Sequence, residues 1–249
     1  MTESTGRAIE LANSLAALRI RLSTAAENAS RKVEEIELLP ITKFFPVTDI
    51  QMLAELGCRA FGESRDQEAR AKIEALQRVW DWPADARWHM VGQIQRNKAR
   101  SIAAWAATVH SVSSARVAAA LDRGVAEARS AGHRADPLGV YVQISLDGDV
   151  SRGGVDVHQP AAVDALCAQV DAAAGLELVG LMGVPPLGAD PDVAFAALAA
   201  ELRRVQRSYS QRLGLSAGMT EDLEIAVKHG STCVRVGTAL LGPRPLTSP

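Results

Sequence analysis

The chain has little of what marks several common protein classes. Of its 249 residues only three are cysteine, Cys58, Cys167 and Cys233, far apart and in no Cys-x-x-Cys spacing. An odd, scattered set excludes a disulfide framework and a cysteine zinc site, and fits reduced intracellular thiols. The five histidines are equally scattered, with no pair at metal-binding helical spacing, so no metal is expected. Charge of one sign is also missing. A formal net charge of −2 argues against a general binder of nucleic acid or anionic membranes. No apolar run approaches the roughly 20 residues that span a bilayer. The opening Met1-Thr2-Glu3-Ser4-Thr5 has neither a basic stretch nor an apolar one, so a secretory leader is not expected and the cytoplasm is. A glycine-rich dinucleotide fingerprint is absent too: the first apolar strand runs into Lys43-Phe44-Phe45-Pro46.

What is present is alternation. Leu11, Leu15, Leu18 and Leu22 recur at helical spacing and predict an amphipathic helix over residues 7–28. Strand-like runs follow at residues 37–42, 60–62, 87–92, 109–112, 138–145, 176–182, 215–218 and 233–236. Amphipathic helical patterns separate them, among them 47–56, 63–79, 114–131, 160–174, 192–213 and 221–228. Eight βα units in series predict an α/β fold, a single (β/α)8 TIM-type barrel with an extra N-terminal helix. A doubly wound open sheet is the runner-up. One domain over residues 1–249 is expected, with the barrel at about 37–244 and a frayed tail at 243–249. Pro40 inside the first strand lacks a ladder donor, which predicts a bulge or a shortened strand there.

In such a barrel, chemistry gathers at the carboxyl ends of the strands. The run Thr232-Cys233-Val234-Arg235-Val236-Gly237-Thr238 reads as a β-branched strand, a glycine step and a helix start with Thr238 at the cap. Backbone N–H groups at that step favour an anion, as phosphate sites after the last barrel strands do. Arg235 faces opposite to Val234 and Val236, hence inward, and suggests an anionic or heteroaromatic ligand; an ion pair with a barrel carboxylate is the plainer alternative. Lys43 closes the first strand at a largely apolar mouth, where desolvation lowers an amine's pKa and frees it towards aldehydes. A solvated strand-end lysine is the plain reading. Strands one and eight are neighbours in a closed barrel, however, and a lysine beside a phosphate cup is what pyridoxal 5′-phosphate requires. Ser216, in Leu215-Ser216-Ala217-Gly218-Met219-Thr220, supplies a second wall of that cup, unless Thr220 is only a helix cap. Ser64 and His89 end the second and third strands; His89 is either a proton carrier or a bonded core residue. Met182 packs against a flat ligand or the core.

These segments together resemble the pyridoxal phosphate homeostasis protein family, the alanine racemase-like N-terminal domain proteins. The resemblance rests on Ile41-Thr42-Lys43, Phe61-Gly62-Glu63, the run from Trp88-His89-Met90 through Asn97-Lys98, Gly180-Leu181-Met182, Leu215 to Met219, and Val234 to Thr238. It implies a barrel that binds pyridoxal 5′-phosphate and carries or regulates vitamin B6 without being an enzyme. It also implies Lys43 as the Schiff-base lysine, Ser216, Gly237 and Thr238 at the phosphate, and Arg235 opposite the pyridine nitrogen. Ser64, Met182 and Met219 complete the expected cofactor contacts. Asparagine is common in the family where Ser64 stands, Phe44-Phe45 replaces smaller or polar residues, and Arg152 stands where lysine is usual. Expected partners are the cofactor itself and apo-forms of enzymes that use it, with no nucleic acid, no membrane and a monomeric state.

Two other functions compete. An amino-acid racemase needs an acid/base on each face of a planar intermediate. The only tyrosines, Tyr141 and Tyr209, fall early in a strand and within a helical pattern. A phosphosugar enzyme needs a carboxylate pair at the mouth, for which Glu63 and Asp147 are the candidates.

Overall fold

The alternating pattern folds into a ring of parallel strands jacketed by helices. The computed structural model describes residues 2–79 and 82–243. The chain opens with α1 (Thr2–Asn28), followed by β1 (Glu37–Pro40), α2 (Val47–Glu55), β2 (Ala60–Glu63), α3 (Asp66–Leu76) and β3 (Arg87–Met90). Next come α4 (Ala99–Trp105), β4 (Thr108–Val112), α5 (Ala115–Ser130), β5 (Leu138–Ser145), the two-residue β6 (Val155–Asp156) and α6 (Pro160–Asp171). The last third holds β7 (Leu176–Met182), α7 (Pro191–Gln206), β8 (Gly214–Ser216), α8 (Leu223–Lys228), β9 (Cys233–Val236) and α9 (Thr238–Leu241). The expected tail beyond Pro243 lies outside the described residues.

Eight strands form the ring in the order β1-β9-β8-β7-β5-β4-β3-β2, while β6 pairs only with the end of β5. The seam between β1 and β2 closes through one bridge, Ile41 to Gly62, and a 2.9 Å bond from Thr42 N–H to the Gly62 carbonyl. Pro40 explains why that seam is sparse. Glu37 donates its N–H to the Thr232 carbonyl just before β9 and Ile41 to the Val236 carbonyl at its end, so the alternate position, Pro40, lies on the β2 side. Its missing donor therefore falls at the seam and not on the β1–β9 ladder, and the strand ends there, two residues short of Thr42.

Packing follows the pleat. Val234 and Val236 of β9 and Phe61 of β2 point outward into a core shared with α1, α2, α8 and α9. Leu11, Leu15, Leu18 and Leu22 line the buried face of α1, all at most 4 % exposed. Each is worth roughly 1.5–3 kcal/mol of burial, which is why a helix before the first strand stays attached. Polar ties complete the attachment: Arg7 bonds Asp49 of α2 at 2.6 Å and the Leu241 carbonyl of α9 at 2.9 Å. A second core of Val, Leu, Ile and Ala lies under α4 to α7.

Several boundaries differ from the sequence reading. β2 runs on through Glu63, so α3 starts three residues later than the pattern suggests. The helix expected to reach residue 213 ends at Gln206, because its side chain folds the next stretch into a turn. Its Nε2 donates to the Tyr209 and Gln211 carbonyls, and its Oε1 accepts from Leu213 N–H. Tyr209 thus lies beyond α7. The cap of α9 is Gly237, with Thr238 its first helical residue, and the cap of α8 is Asp222 instead of Thr220.

Candidate functional site

Register decides which sequence-distant residues meet. β1 and β9 pair with Leu39 opposite Arg235 and Pro40 opposite Val236. Lys43, three residues past β1, therefore reaches the same rim as Gly237 and Thr238 at the start of α9. These three, with Met182, Met219 and Arg235, line one cavity of about 480 Å3 at the carboxyl ends of the strands. Ile41, Phe44, Phe45 and Val91 give it an apolar wall. Lys43 is half-buried, its ammonium 5.9 Å from the centre of the Phe44 ring.

Ser216 and Ser64 stand apart from these six. Ser216 is fully buried below the cavity, its hydroxyl held between Arg235 Nη1 and His110 Nδ1, the latter at 2.8 Å. Ser64 lines a separate, neighbouring cavity of about 850 Å3 that shares only Phe45 with the first.

The barrel interior is unusually polar. Arg235 is 6 % exposed and bonds only Ser216 and, at 3.3 Å, the Gly183 carbonyl. No carboxylate forms an ion pair with it among the described residues, so the plainer sequence alternative, an Arg–carboxylate pair, is not what is found. Burial pushes its guanidinium pKa down. Asp222, which lines the same cavity, acts on this cation at longer range and opposes the effect of burial, without forming an ion pair with it. Behind Ser216, His110 Nε2 meets His89 Nδ1 at 3.0 Å, and the His110 ring packs 4.7 Å from Tyr141. Both histidines are pushed down, first by burial; for His110 the neighbouring His89 and Arg235 add to it. His89 is therefore a bonded core residue, and its Nε2 is buried without a partner. Tyr141 belongs to this interior stack, and burial drives its pKa up.

The residues proposed for competing chemistries fall elsewhere. Glu63 is fully buried, bonded to Thr42 Oγ1 at 2.6 Å and Lys72 Nζ at 2.9 Å; burial raises its carboxyl pKa against the pull of Lys72. Asp147 sits in a surface loop against Arg152, the lysine-replacing residue, which also pairs with Asp149 at 3.0 Å. Neither carboxylate lines the cavity, whose acidic residues are Glu221 and Asp222. No tyrosine, histidine or cysteine lines it among the described residues.

The sequence reading missed His110, Lys72 and Glu68. His110 carried no signal, because its partner Ser216 is 106 residues away. Glu68 and Lys72 did carry one, an i,i+4 opposite-charge pair on a helix, but such pairs are ordinarily surface features.

No helix of the described residues is long and apolar enough to cross a membrane, and no group of three or more potential ligands is arranged for a metal. Residues 14–245 match the family described as alanine racemase, N-terminal domain. The pyridoxal phosphate homeostasis protein of Mycobacterium leprae (strain TN) is 60% identical over 247 residues, covering 98% of this chain and 96% of that one. Its namesake in Escherichia coli (strain K12) is 34% identical over 94% of this chain and 97% of its own. Among solved structures, PipY of Synechococcus elongatus PCC7942 with PLP bound superposes with a TM-score of 0.77 at 32% identity, covering 93% of this chain and all of that one. Alanine racemase from Corynebacterium glutamicum, 15% identical with a TM-score of 0.62, shares the fold. Matched along nearly its whole length, the chain belongs to the pyridoxal phosphate homeostasis protein family, built on the alanine racemase N-terminal domain.

Proposed function

We propose that this protein holds pyridoxal 5′-phosphate as a Schiff base on Lys43 and serves vitamin B6 and amino-acid homeostasis without catalysing a reaction of its own. The observation that carries the reading is the convergence of a lysine amine, a buried guanidinium with no ion-pair partner among the described residues and the Gly237-Thr238 helix start on one cavity. The donor set fits the cofactor's three handles: an aldehyde for Lys43, a phosphate for the α9 start, and an aromatic nitrogen for Arg235. When bound, the cofactor supplies an electrophilic carbonyl joined to a conjugated ring.

The residues of the chain then do three things. Lys43 would anchor the group, the Gly237 and Thr238 backbone would receive its phosphate, and Met182 and Met219 would supply apolar contact from the rest of the lining. Arg235 carries a permanent charge that would disfavour a proton on a ring nitrogen placed opposite it, and so would weaken carbanion chemistry. A racemase would also need a second acid/base opposite Lys43. Among the described residues the cavity lining offers no tyrosine, histidine or cysteine for it, which supports a carrier over an enzyme. We read residues 1–249 as one cofactor-binding domain, cytoplasmic and monomeric, that hands its cargo to apo-enzymes. The transfer idea fails if loaded protein reactivates an apo-enzyme no faster than free cofactor.

The site is tested by the visible spectrum of the protein with added pyridoxal 5′-phosphate, before and after borohydride. An absorption band lost on reduction, with the pyridoxyl group mapped to Lys43 and absent in Lys43→Ala, is the expected outcome. A spectrum without a band removes the assignment, and racemisation of alanine by the loaded protein removes the non-catalytic part.

A further inference from the structure

The two residues that flank Lys43 are gripped by one buried cation. Lys72 of α3 is 6 % exposed, and each of its three ammonium hydrogens has an acceptor. They are the Thr42 carbonyl at 2.9 Å, Glu63 Oε1 at 2.9 Å and Glu68 Oε1 at 2.7 Å. Both carboxylates pass the hold on to the Lys43 turn. Glu63 Oε1 accepts from the Thr42 hydroxyl at 2.6 Å, and Glu68 Oε1 accepts from the Phe44 N–H at 2.6 Å. Thr42 is thus fixed at its carbonyl and its hydroxyl, and Phe44 at its amide.

Phe44 stands at φ +71°, in the left-handed region that a bulky side chain avoids. Such a conformation persists only where the surroundings over-determine it. Here the charge-assisted bond to Glu68, itself held by Lys72, is one constraint, beside the turn bond from Phe45 N–H to the Thr42 carbonyl at 3.1 Å and the Arg65 guanidinium 5.1 Å from the Phe44 ring centre. Among the described residues Phe44 is one of two non-glycine residues with positive φ, and it directly follows Lys43. Release of its N–H would loosen the turn that carries Lys43 and let the lysine side chain shift.

We propose that Lys72, acting through Glu63 and Glu68, is the positioning device that aims the Lys43 amine into the cavity. The inference rests on the cofactor reading of Lys43 for its purpose, but not for its geometry. A cluster serving only to glue α3 to the barrel would have no need to end on both neighbours of one lysine. Substitution of Lys72 or Glu68 therefore changes how Lys43 is presented, whereas loss of stability elsewhere does not.

The test compares Lys72→Met, Glu68→Ala, Glu68→Gln and, as a remote destabilised control, Leu11→Ala with the parent protein. Each is first shown to be folded by circular dichroism. Two readouts follow: the rate of Lys43 modification by a small amine-reactive reagent at fixed pH, quantified by mass spectrometry, and the rate of band formation with pyridoxal 5′-phosphate. In Lys72→Met and Glu68→Ala we expect at least a fivefold change in the first and a tenfold slowing of the second. Glu68→Gln keeps an oxygen for the Phe44 N–H and stays within about threefold of the parent. Leu11→Ala leaves both rates unchanged. Modification rates within twofold of the parent in folded Lys72→Met and Glu68→Ala overturn the proposal, as does an equal change in Leu11→Ala. A parent that forms no adduct at Lys43 while its modification responds as stated refutes the cofactor reading and upholds the positioning role. Should Lys72→Met not fold, the Glu68→Ala and Glu68→Gln pair decides.

Discussion

Acid should destabilise this protein through the histidine pair inside its barrel, well above the pH at which its carboxylates titrate. His110 is fully buried and His89 nearly so, and both are held neutral in the fold. The 3.0 Å contact between His110 Nε2 and His89 Nδ1 accommodates one proton, so two imidazolium rings cannot share it. Protonation of His110 would also place a second cation beside Arg235. The sign follows from linkage. A group whose folded pKa is depressed contributes stability above its unfolded pKa of about 6.5 and loses it as pH falls towards the folded value. At pH 5 a histidine that protonates freely only when unfolded costs about 2 kcal/mol. His110, the more strongly shifted, should lose about that much, and His89 at most about the same again. Glu63 acts in the opposite sense, since its raised carboxyl gains a proton more readily in the fold as pH falls. Comparison with a His89→Gln/His110→Gln double variant removes that contribution and those of the surface histidines, which both proteins share. The assay is the urea midpoint between pH 7.5 and 5.0. The parent should lose about 2–4 kcal/mol more than the double variant over this range. Parallel pH profiles for the two proteins would refute the assignment of neutral, buried rings.

Three further outcomes are expected. Leu11→Ala should lower stability by about 2–5 kcal/mol in denaturant titration, because Leu11 is fully buried under α1 and its cavity cannot collapse against the rigid barrel; a loss below about 1 kcal/mol would mean that α1 is only loosely docked. Gly92→Ala should cost about 1–3 kcal/mol or prevent folding, since a Cβ there would sit 2.2 Å from the Ser64 backbone oxygen; an unchanged midpoint would contradict this close approach of the β2 and β3 ends. Arg235→Met should leave the melting temperature within a few degrees of the parent or raise it, because a buried cation with no ion-pair partner among the described residues is replaced by an apolar chain of similar length, while pyridoxal 5′-phosphate binding measured by absorbance weakens at least tenfold. Unaltered binding would remove Arg235 from the site.

Much of the site was legible in local sequence. Leu11, Leu15, Leu18 and Leu22 mark α1 by periodicity alone, and alternation along Cys233-Val234-Arg235-Val236 turns Arg235 inward without any tertiary information. Pro40 announced a broken strand, and the broken strand is there. The placement of Lys43 just past β1 also needed nothing beyond the strand pattern, because side-chain period and strand length are local properties of the backbone. Helix limits were less secure. The end of α7 at Gln206 depends on one glutamine side chain gathering three backbone groups, which no propensity encodes.

Only the closed ring decided the rest. Register between β1 and β9 brought Lys43 to Gly237 and Thr238 across nearly 200 residues of chain, while the pairing of β8 and β2 with their own neighbours left Ser216 beneath the cavity and Ser64 on another. The same closure stacked His89, His110, Ser216 and Arg235 into one interior column, although nothing in the sequence signalled that they would meet, and His110 carried no signal at all. It buried Lys72 and half-buried Glu68 too, so that an i,i+4 pair of the kind found on countless exposed helices became the clamp on Thr42 and Phe44. The physical reason is the same in each case. Local sequence sets which way a side chain points, but desolvation and hydrogen-bond partners are properties of what lies opposite, and that is determined by how the strands register around the barrel.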